Sequence, residues 1–432
     1  MRASVSSVCQ PGFLGLLLAA SLAAQSPGRP MLSLADARTA ALKNHPKIQS
    51  AAANVRAAEA MTTETRSAQL PLVSGNFTSA EAQHSTVLSA GALQTSSLYS
   101  RVASGVAVSQ LITDFGRSSN LVGAASLRAS AQGSNAEAVR QAVLLQVEQS
   151  FYQTLAARAV ERAAQAAVRS REVVLRQVRA LAESSMRSTL DVRFAEVALS
   201  QAQLDLYRAE NNAQEADANL SAAMGLDHTE QFDLRDEPLP KPMGADPSGL
   251  VSDALARRPD LKALNLQVDA ARRFAEAEGK LNRPTVNFIG AAGLVPGGDP
   301  RLPPRYSAAG LNVSIPLLNG GLFASRHEES KERATAAQFD AQDAANQIVR
   351  QVRIAWLEAS TAARRIDVSE RLVVEASEAL RLAQTRYENG LGSIVELSQA
   401  QLNQTAAEIE NANSRYDYLS RRVMLRYALG DL

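Results

Sequence analysis

The chain lacks several features that are common in proteins of 432 residues. Aromatic residues make up only 4% of it, and alanine is visibly the commonest apolar residue. Small apolar side chains fill thin seams between helices rather than the thick interiors of several globular domains. Proline is absent from residues 72–237 and again from residues 317–432. Because an interior proline costs a helix about 3 kcal/mol, these two tracts predict long helices.

The single cysteine lies in an N-terminal segment that has the features of a secretion signal. Arg2 is followed by the apolar run Phe13 to Ala24, which contains a small-residue cleavage site at Ser21-Leu22-Ala23. We therefore predict a signal peptide over residues 1–24. Its removal takes Cys9 with it, so neither disulfides nor thiol chemistry are expected in the mature chain. The apolar run is too short to cross a bilayer, which needs about 20 residues.

Charge and motifs indicate neither an enzyme nor a nucleic-acid-binding protein. Without Arg2 the chain has 44 basic residues (45 − 1) against 44 acidic ones, which gives no electrostatic attraction for nucleic acid. The tripeptide Asp114-Phe115-Gly116 matches the magnesium motif of kinases, but the other kinase motifs are missing. The histidines are scattered, without a second ligand at metal spacing: His45, His84, His228 and His327. We predict no catalytic residues, no metal site and no cofactor, and we interpret His45, which precedes Pro46, as a surface residue.

The most informative feature is a tandem repeat. The segment ALKNHPKI, Ala41 to Ile48, matches ALARRPDL, Ala254 to Leu261, at a separation of 213 residues. Later matches have a separation of 205 residues, for example Gly225 with Gly430. The change in separation from 213 to 205 residues indicates that one loop differs in length by eight residues between the two repeats. We predict two structural repeats, residues 25–237 and 238–432.

Each repeat has the same predicted order of elements: a helix, a hairpin of two strands, a very long helix, a sharp turn and a second helix. Weak alternation of apolar residues predicts strands over about 71–82, 98–115, 284–295 and 306–318. The long helices are predicted over Arg117 to Glu183 and Leu322 to Asn389, each about 100 Å long at 1.5 Å per residue. A seven-residue apolar spacing predicts coiled-coil packing at Leu402, Ile409, Tyr416 and Val423.

Two short glycine-containing segments join a strand to a long helix, one in each repeat. Glycine permits backbone angles there that other residues resist. We therefore predict two strand-to-helix hinges, formed by Asp114, Phe115 and Gly116 in the first repeat and by Asn319, Gly320 and Gly321 in the second. If these strands cross a membrane, Phe115 is expected at its edge, where aromatic rings are favoured.

The mature chain resembles the TolC-like outer membrane efflux proteins over essentially its whole length. The most specific matches are ALARRPDL, the strand end SIPLLNGG, and the turn that begins RYENGLGSIVEL at Arg386. The resemblance implies a mixed α and β fold, in which a long coiled-coil α-helical tunnel in the periplasm is joined to a transmembrane β-barrel. Each chain would supply four strands, twelve in a homotrimer. A single chain cannot close such a barrel, because even the smallest have about eight strands.

The resemblance also implies a function. The protein would be a channel in the outer membrane, in contact with its lipid and extending into the periplasm. It would dock on a periplasmic adaptor protein and an inner membrane transporter, and export substrates by efflux or type I secretion. A periplasmic coiled-coil adaptor or a scaffold protein without a pore remains the alternative, since helical hairpins and heptads also fit those classes.

By the same resemblance, the turns between paired helices carry the functional residues. The adaptor-docking tip would contain Tyr387, Gly390, Gly392 and Ser393 in the second repeat, and Ser185 and Ser188 in the first. The first turn departs from the family pattern, because Ala182 and Ser185 replace the expected tyrosine and glycine. The pore gate would contain Glu396, Gln399 and Asp191. Three converging copies of Glu396 would favour cations, although Ser393 and Glu396 also match a helix-capping box.

Overall fold

The computed structural model describes residues 30–80, 87–90, 93–97, 101–240, 248–297 and 303–432. The predicted signal peptide and His84 lie outside the described residues, as do residues 81–82 and 98–100 of the predicted strands. The helices are α1 (Leu34–Asn44), α2 (Pro46–Ser67), α3 (Arg117–Glu183), α4 (Thr189–Ala223), α5 (Ser248–Arg257), α6 (Pro259–Glu278), α7 (Leu322–Glu388) and α8 (Ile394–Ala428). The strands are β1 (Met31–Leu32), β2 (Leu72–Ala80), β3 (Val87–Ala90), β4 (Leu93–Ser97), β5 (Arg101–Thr113), β6 (Asp233–Leu234), β7 (Thr285–Gly297) and β8 (Arg305–Ser314).

Four strands, two from each repeat, form one antiparallel sheet in the order β2-β5-β7-β8. The repeats meet inside this sheet, where β5 pairs with β7 and Val106 lies opposite Ala292. Strands β2 and β8 are the two edges. The short strands pair separately, β3 with β4 and β1 with β6.

The long-helix prediction is confirmed. Helices α3 and α7 each contain 67 residues, so each is about 100 Å long. Helix α3 has the predicted bounds, and α7 ends one residue earlier than predicted, at Glu388. Within the ranges described above, none of the helices is long and apolar enough to cross a membrane.

Helix α3 is the central helix of the bundle. It contacts α2 and α6, which lead into the sheet, and α4 and α8, which begin at the tips. Helix α7 contacts α6 and α8. The neighbour order is therefore α2-α3-α6-α7 on the sheet side and α4-α3-α8-α7 on the tip side.

The main core lies midway along α3, around Phe151, where the ends of α1 and α4 meet. The interpretation of His45 as a surface residue is wrong. His45 is buried between α1 and α2, and its ring Nδ1 accepts the backbone N–H of Lys47 at 3.2 Å. Gly225 lies directly against its backbone. Since the chain turns into α2 at Pro46, the imidazole satisfies an amide that the helix start leaves free.

Candidate functional site at the hairpin tips

The two tips are built alike. Residues 184–188 join α3 to α4, and residues 389–393 join α7 to α8. The second residue of each turn has a left-handed backbone, with φ of 59° at Ser185 and 76° at Gly390. Ser188 and Ser393 then cap the following helices, each accepting a backbone N–H at 3.1 Å. The reversal therefore depends on one left-handed residue and one serine cap in each repeat.

Tyr387 connects the two tips. It is only 4% exposed and packs in an apolar cluster that includes Val178 and Leu397. The guanidinium of Arg187, from the first tip, lies over the Tyr387 ring at 4.5 Å and donates to its backbone carbonyl. Burial raises the pKa of the Tyr387 hydroxyl, and the nearby carboxylate of Asp191 raises it further. That hydroxyl has no hydrogen-bond partner within the described residues.

Glu396 makes only half of the predicted capping box. Its backbone N–H is capped by Ser393, but its carboxylate accepts from Arg386 Nε at 3.2 Å instead of turning back to the Ser393 amide. Both charged side chains are about half exposed. Gly392 makes this approach possible, because a Cβ there would lie 3.3 Å from the Glu396 carboxylate and 3.2 Å from the Tyr387 amide.

The three predicted gate residues do not meet within one chain. Glu396 pairs with Arg386, and Asp191 lies beside Tyr387. Gln399 is exposed and donates to Asn403 at 2.9 Å. A ring of acidic groups therefore requires further copies of the chain.

Two arginines of this site, Arg187 and Arg386, have roles that the sequence pattern did not predict. Arg386 is the first residue of the turn motif RYENGLGSIVEL. Its separation of ten residues from Glu396 does not indicate a contact unless the geometry of the turn is known. Arg187 meets Tyr387 across the two repeats, 200 residues away in sequence. Spacing within one repeat cannot reveal a contact of that kind.

The hinge residues lie between the sheet and the long helices. Asp114 is buried, and its carboxylate accepts from the N–H groups of Gly116 at 3.1 Å and Ser118 at 2.6 Å. Phe115 and Gly116 both have left-handed backbones, with φ of 57° and 87°. The equivalent pair in the second repeat consists of Gly320 and Gly321, with φ of 59° and 84°. Asn319, beside that pair, donates to Asn282 at 3.3 Å.

The comparison with protein families identifies the chain. The family model described as "Outer membrane efflux protein" matches residues 37–226 and 250–431, which together include both repeats and both tips. The chain belongs to the outer membrane efflux protein family. It is therefore a transport protein, an outer membrane channel of TolC type that extends into the periplasm. The alternative of an adaptor or scaffold without a pore is excluded by this assignment.

Two known relatives and one solved structure match the chain over most of their length. Outer membrane protein TolC of Vibrio cholerae is 24% identical over 437 aligned residues, covering 97% of this chain and 95% of the relative. Outer membrane efflux protein BepC of Brucella suis is 21% identical, covering 100% and 92%. The CmeC outer membrane channel of Campylobacter jejuni superimposes with a TM-score of 0.80 at 19% identity, covering 92% and 85%. The predicted TolC-like fold is confirmed.

Proposed function

We propose that this efflux protein works as a homotrimer, that its hairpin tips dock on a periplasmic adaptor coupled to an inner membrane transporter, and that they close the pore between export events. TolC-family channels form trimers and work with such partners. The observation that carries the proposal for the gate is the exposed Arg386–Glu396 pair at the second tip. Three chains would bring three such pairs to one opening.

The open edges of the sheet support a ring of chains. Among the strands that the structure describes, β2 and β8 each have a neighbour on one side only. They run in opposite directions, because every pairing between them is antiparallel. Strand β8 of one chain can thus pair with β2 of the next in the same antiparallel pattern. Three chains would close a sheet of twelve strands without leaving an edge.

The edge helices support the same arrangement. On the outer side of α4, Leu190, Val197 and Leu204 are seven residues apart and exposed. Helix α7, at the opposite edge, exposes a second apolar series at multiples of seven residues: Ile354, Val368 and Leu382. Such spacing forms a coiled-coil seam. In a ring, α7 of one chain would cover α4 of the next.

A charge placed in this seam should prevent assembly. We expect Leu204→Glu to lose the trimer, since an unpaired carboxylate would be buried in each of three interfaces at several kcal/mol apiece. The matched control is Gln203→Glu, which places the same charge at the adjacent exposed position. Native mass spectrometry in detergent measures the outcome. A Leu204→Glu trimer as stable as that of Gln203→Glu would contradict the proposed interface.

The gate can be tested in planar bilayers. Glu396→Gln would leave Arg386 without its anion, so we expect cation selectivity and block by a trivalent cation to weaken. Glu388→Gln removes a charge from the same tip but breaks no ion pair, and should behave as wild type. If Glu396→Gln also conducts and blocks as wild type does, the Arg386–Glu396 pair only shapes the turn, and the gate lies elsewhere.

A further inference from the structure

The two faces of the four-stranded sheet differ in the size and polarity of their side chains. Successive side chains of a strand point to opposite faces, and the register of the strands assigns each residue to one of them. One face exposes large apolar side chains on all four strands: Val73, Phe77, Val106, Phe288, Leu294, Leu311 and Val313. The other face has mainly small or amide side chains: Ser74, Asn76, Ala107, Asn287, Ala291, Ala308 and Asn312.

This difference indicates which face lines the pore. A membrane-spanning barrel is apolar where it meets lipid and more polar inside. In the proposed trimer the large apolar face therefore meets lipid, and the face with small side chains surrounds the lumen. Tyr306 is the second residue of β8, and α7 follows the other end of that strand. Tyr306 therefore lies at the end of the lumen that is farthest from the helices, which is the outer opening.

Tyr306 lies on the lumen face, in a row with two glycines. It pairs with Gly293 on β7, which pairs in turn with Gly105 on β5. A Cβ at Gly293 would lie 2.6 Å from the Tyr306 hydroxyl oxygen and 2.7 Å from its ring Cε1. A Cβ at Gly105 would overlap the same hydroxyl oxygen. The Tyr306 side chain thus crosses β7 and reaches β5, lying along the wall instead of standing on it.

Gly105 and Gly293 form a slot for this ring, which we call the glycine slot. Glycine within a strand has an entropic cost, and it often marks a close approach of other atoms. Neither residue has a left-handed backbone, so backbone conformation does not account for them. Gly310 lies on the same face, but a Cβ there would meet no atom within 4 Å. Room for the Tyr306 ring is therefore particular to the glycine slot.

Assembly of the trimer would leave the ring where it is. The Tyr306 ring extends over β7 and β5 of its own chain, whereas the next chain would pair along the opposite, open edge of β8. Three chains would place three such rings at one level of the lumen. A flat ring narrows the lumen only by its thickness, while an upright one would narrow it by its length.

We propose that the glycine slot sets the width of the outer opening by holding Tyr306 flat against the lumen wall. The inference rests on the proposed trimeric channel and names residues that limit the size of its substrates. The ring covers the bare backbone of the two glycines, and the glycines leave room for the ring. Gly105 and Gly293 are thus specificity-determining residues, which admit bulky substrates that three upright tyrosines would exclude.

The first measurement tests which face surrounds the lumen. Because the predicted mature chain has no cysteine, Ala308→Cys gives a single thiol on the lumen face, and Ala309→Cys gives one on the apolar face. A charged maleimide is added to intact cells that carry the trimer. We expect Ala308→Cys to react and Ala309→Cys to stay unlabelled, because lipid excludes a charged reagent. The opposite result would overturn the inference.

The second measurement tests the width of the opening. Asn312→Cys is the reporter, since it lies on the lumen face six residues beyond Tyr306, about 20 Å deeper at roughly 3.3 Å per residue. Intact cells are labelled with a small maleimide and with maleimides on polyethylene glycol chains of increasing length. Gly105→Ala should lift the three rings from the wall, slow labelling by the longer chains severalfold and leave the small maleimide unaffected. Gly310→Ala is the matched control and should label as wild type.

A double variant separates the ring from the backbone. A Cβ at Gly105 would also lie 2.8 Å from the Ala292 carbonyl oxygen, whatever residue occupies position 306. Gly105→Ala combined with Tyr306→Ala keeps this contact and removes the ring, so it should restore labelling by the longer chains. Failure to restore it, or failure of the double variant to assemble, would assign Gly105 to strand pairing and overturn the inference. Assembly of the double variant but not of Gly105→Ala alone would support the position of the ring.

Three further outcomes would count against the inference. Wild-type labelling in Gly105→Ala would show that the glycine slot does not control the width. A marked gain of polymer labelling in Tyr306→Ala alone would show that the ring already stands in the lumen. Either result, with Ala308→Cys reactive, refutes the glycine slot and leaves the channel intact. If neither Ala308→Cys nor Ala309→Cys reacts, the strands enclose no open lumen, and the proposed trimeric channel fails as well.

Discussion

Ser185 allows a direct test of the tip geometry, because it is a non-glycine residue with a left-handed backbone. Its repeat counterpart is Gly390, and φ is 59° and 76° at the two positions. The residue after each one donates a hydrogen bond back to the preceding helix, Met186 to the Leu181 carbonyl and Leu391 to the Arg386 carbonyl, both at 2.8 Å. The first tip therefore contains backbone strain that the second avoids.

The magnitude follows from two opposing effects. A left-handed conformation costs an L-residue roughly 1–2 kcal/mol. Glycine loses about 0.5–1 kcal/mol more conformational freedom when it is ordered. Ser185→Gly should therefore stabilise the closed turn by about 0.5–1 kcal/mol. Hydrogen exchange of the Met186 amide measures local opening, and its protection should rise roughly two- to fivefold.

The reverse change at the second tip should have the opposite sign. A Cβ at Gly390 would meet no atom within 4 Å. The cost of Gly390→Ala is therefore only the strain of a left-handed backbone at an alanine. Protection of the Leu391 amide should fall roughly two- to fivefold. Gly133→Ala is the control, since Gly133 has equally open space in the interior of α3. At that position alanine should increase the protection of the neighbouring helix amides against hydrogen exchange. An unchanged Met186 amide in Ser185→Gly, or the same sign for both alanine variants, would refute the reasoning.

Two predictions concern the junction of α1 and α2. Burial lowers the pKa of His45 below its ordinary value of 6.5, so the unfolded chain binds more protons and stability falls as the pH drops through 6.5. The thermal midpoint of wild type should thus decline between pH 7 and pH 5 more than that of His45→Asn, which keeps a capping oxygen; equal declines would contradict this. Gly225→Ala should lower the midpoint more than Gly430→Ala, because the added Cβ would lie 2.7 Å from the His45 backbone, against 3.2 Å from the Arg258 backbone at Gly430. Similar midpoints for the two alanine variants would show that the junction relaxes freely.

The parts of the fold that were predictable are those fixed by local spacing. The proline-free tracts and heptads predicted α3 and α7 to within one residue, because a long helix depends on its own sequence at every turn. The strand segments were located approximately from their alternation. Strand β2 begins one residue after the predicted start, but β8 ends at Ser314, four residues before the predicted end at 318. The turn motif likewise identified the tips, since a sharp reversal needs a left-handed residue followed by a cap.

The contacts between elements could not be predicted in the same way. Ser393 and Glu396 match a capping box, but the carboxylate pairs with Arg386 because the turn brings that guanidinium within reach. His45 was interpreted as a surface residue from its position before Pro46, but it is buried, and the distant Gly225 lies against its backbone.

The two edge strands of the sheet, β2 and β8, also affect the behaviour of the monomer before the subunits assemble. A newly exported chain can pair its four strands and pack its helices, yet β2 and β8 still present free backbone donors and acceptors. Such edges are templates for unwanted pairing with any other extended chain. Every molecule must therefore pass through an aggregation-prone stage whose duration depends on its concentration. Rapid encounter of subunits or protection by a periplasmic chaperone shortens that stage, and overproduction without either should yield aggregates and proteolysis rather than more channels.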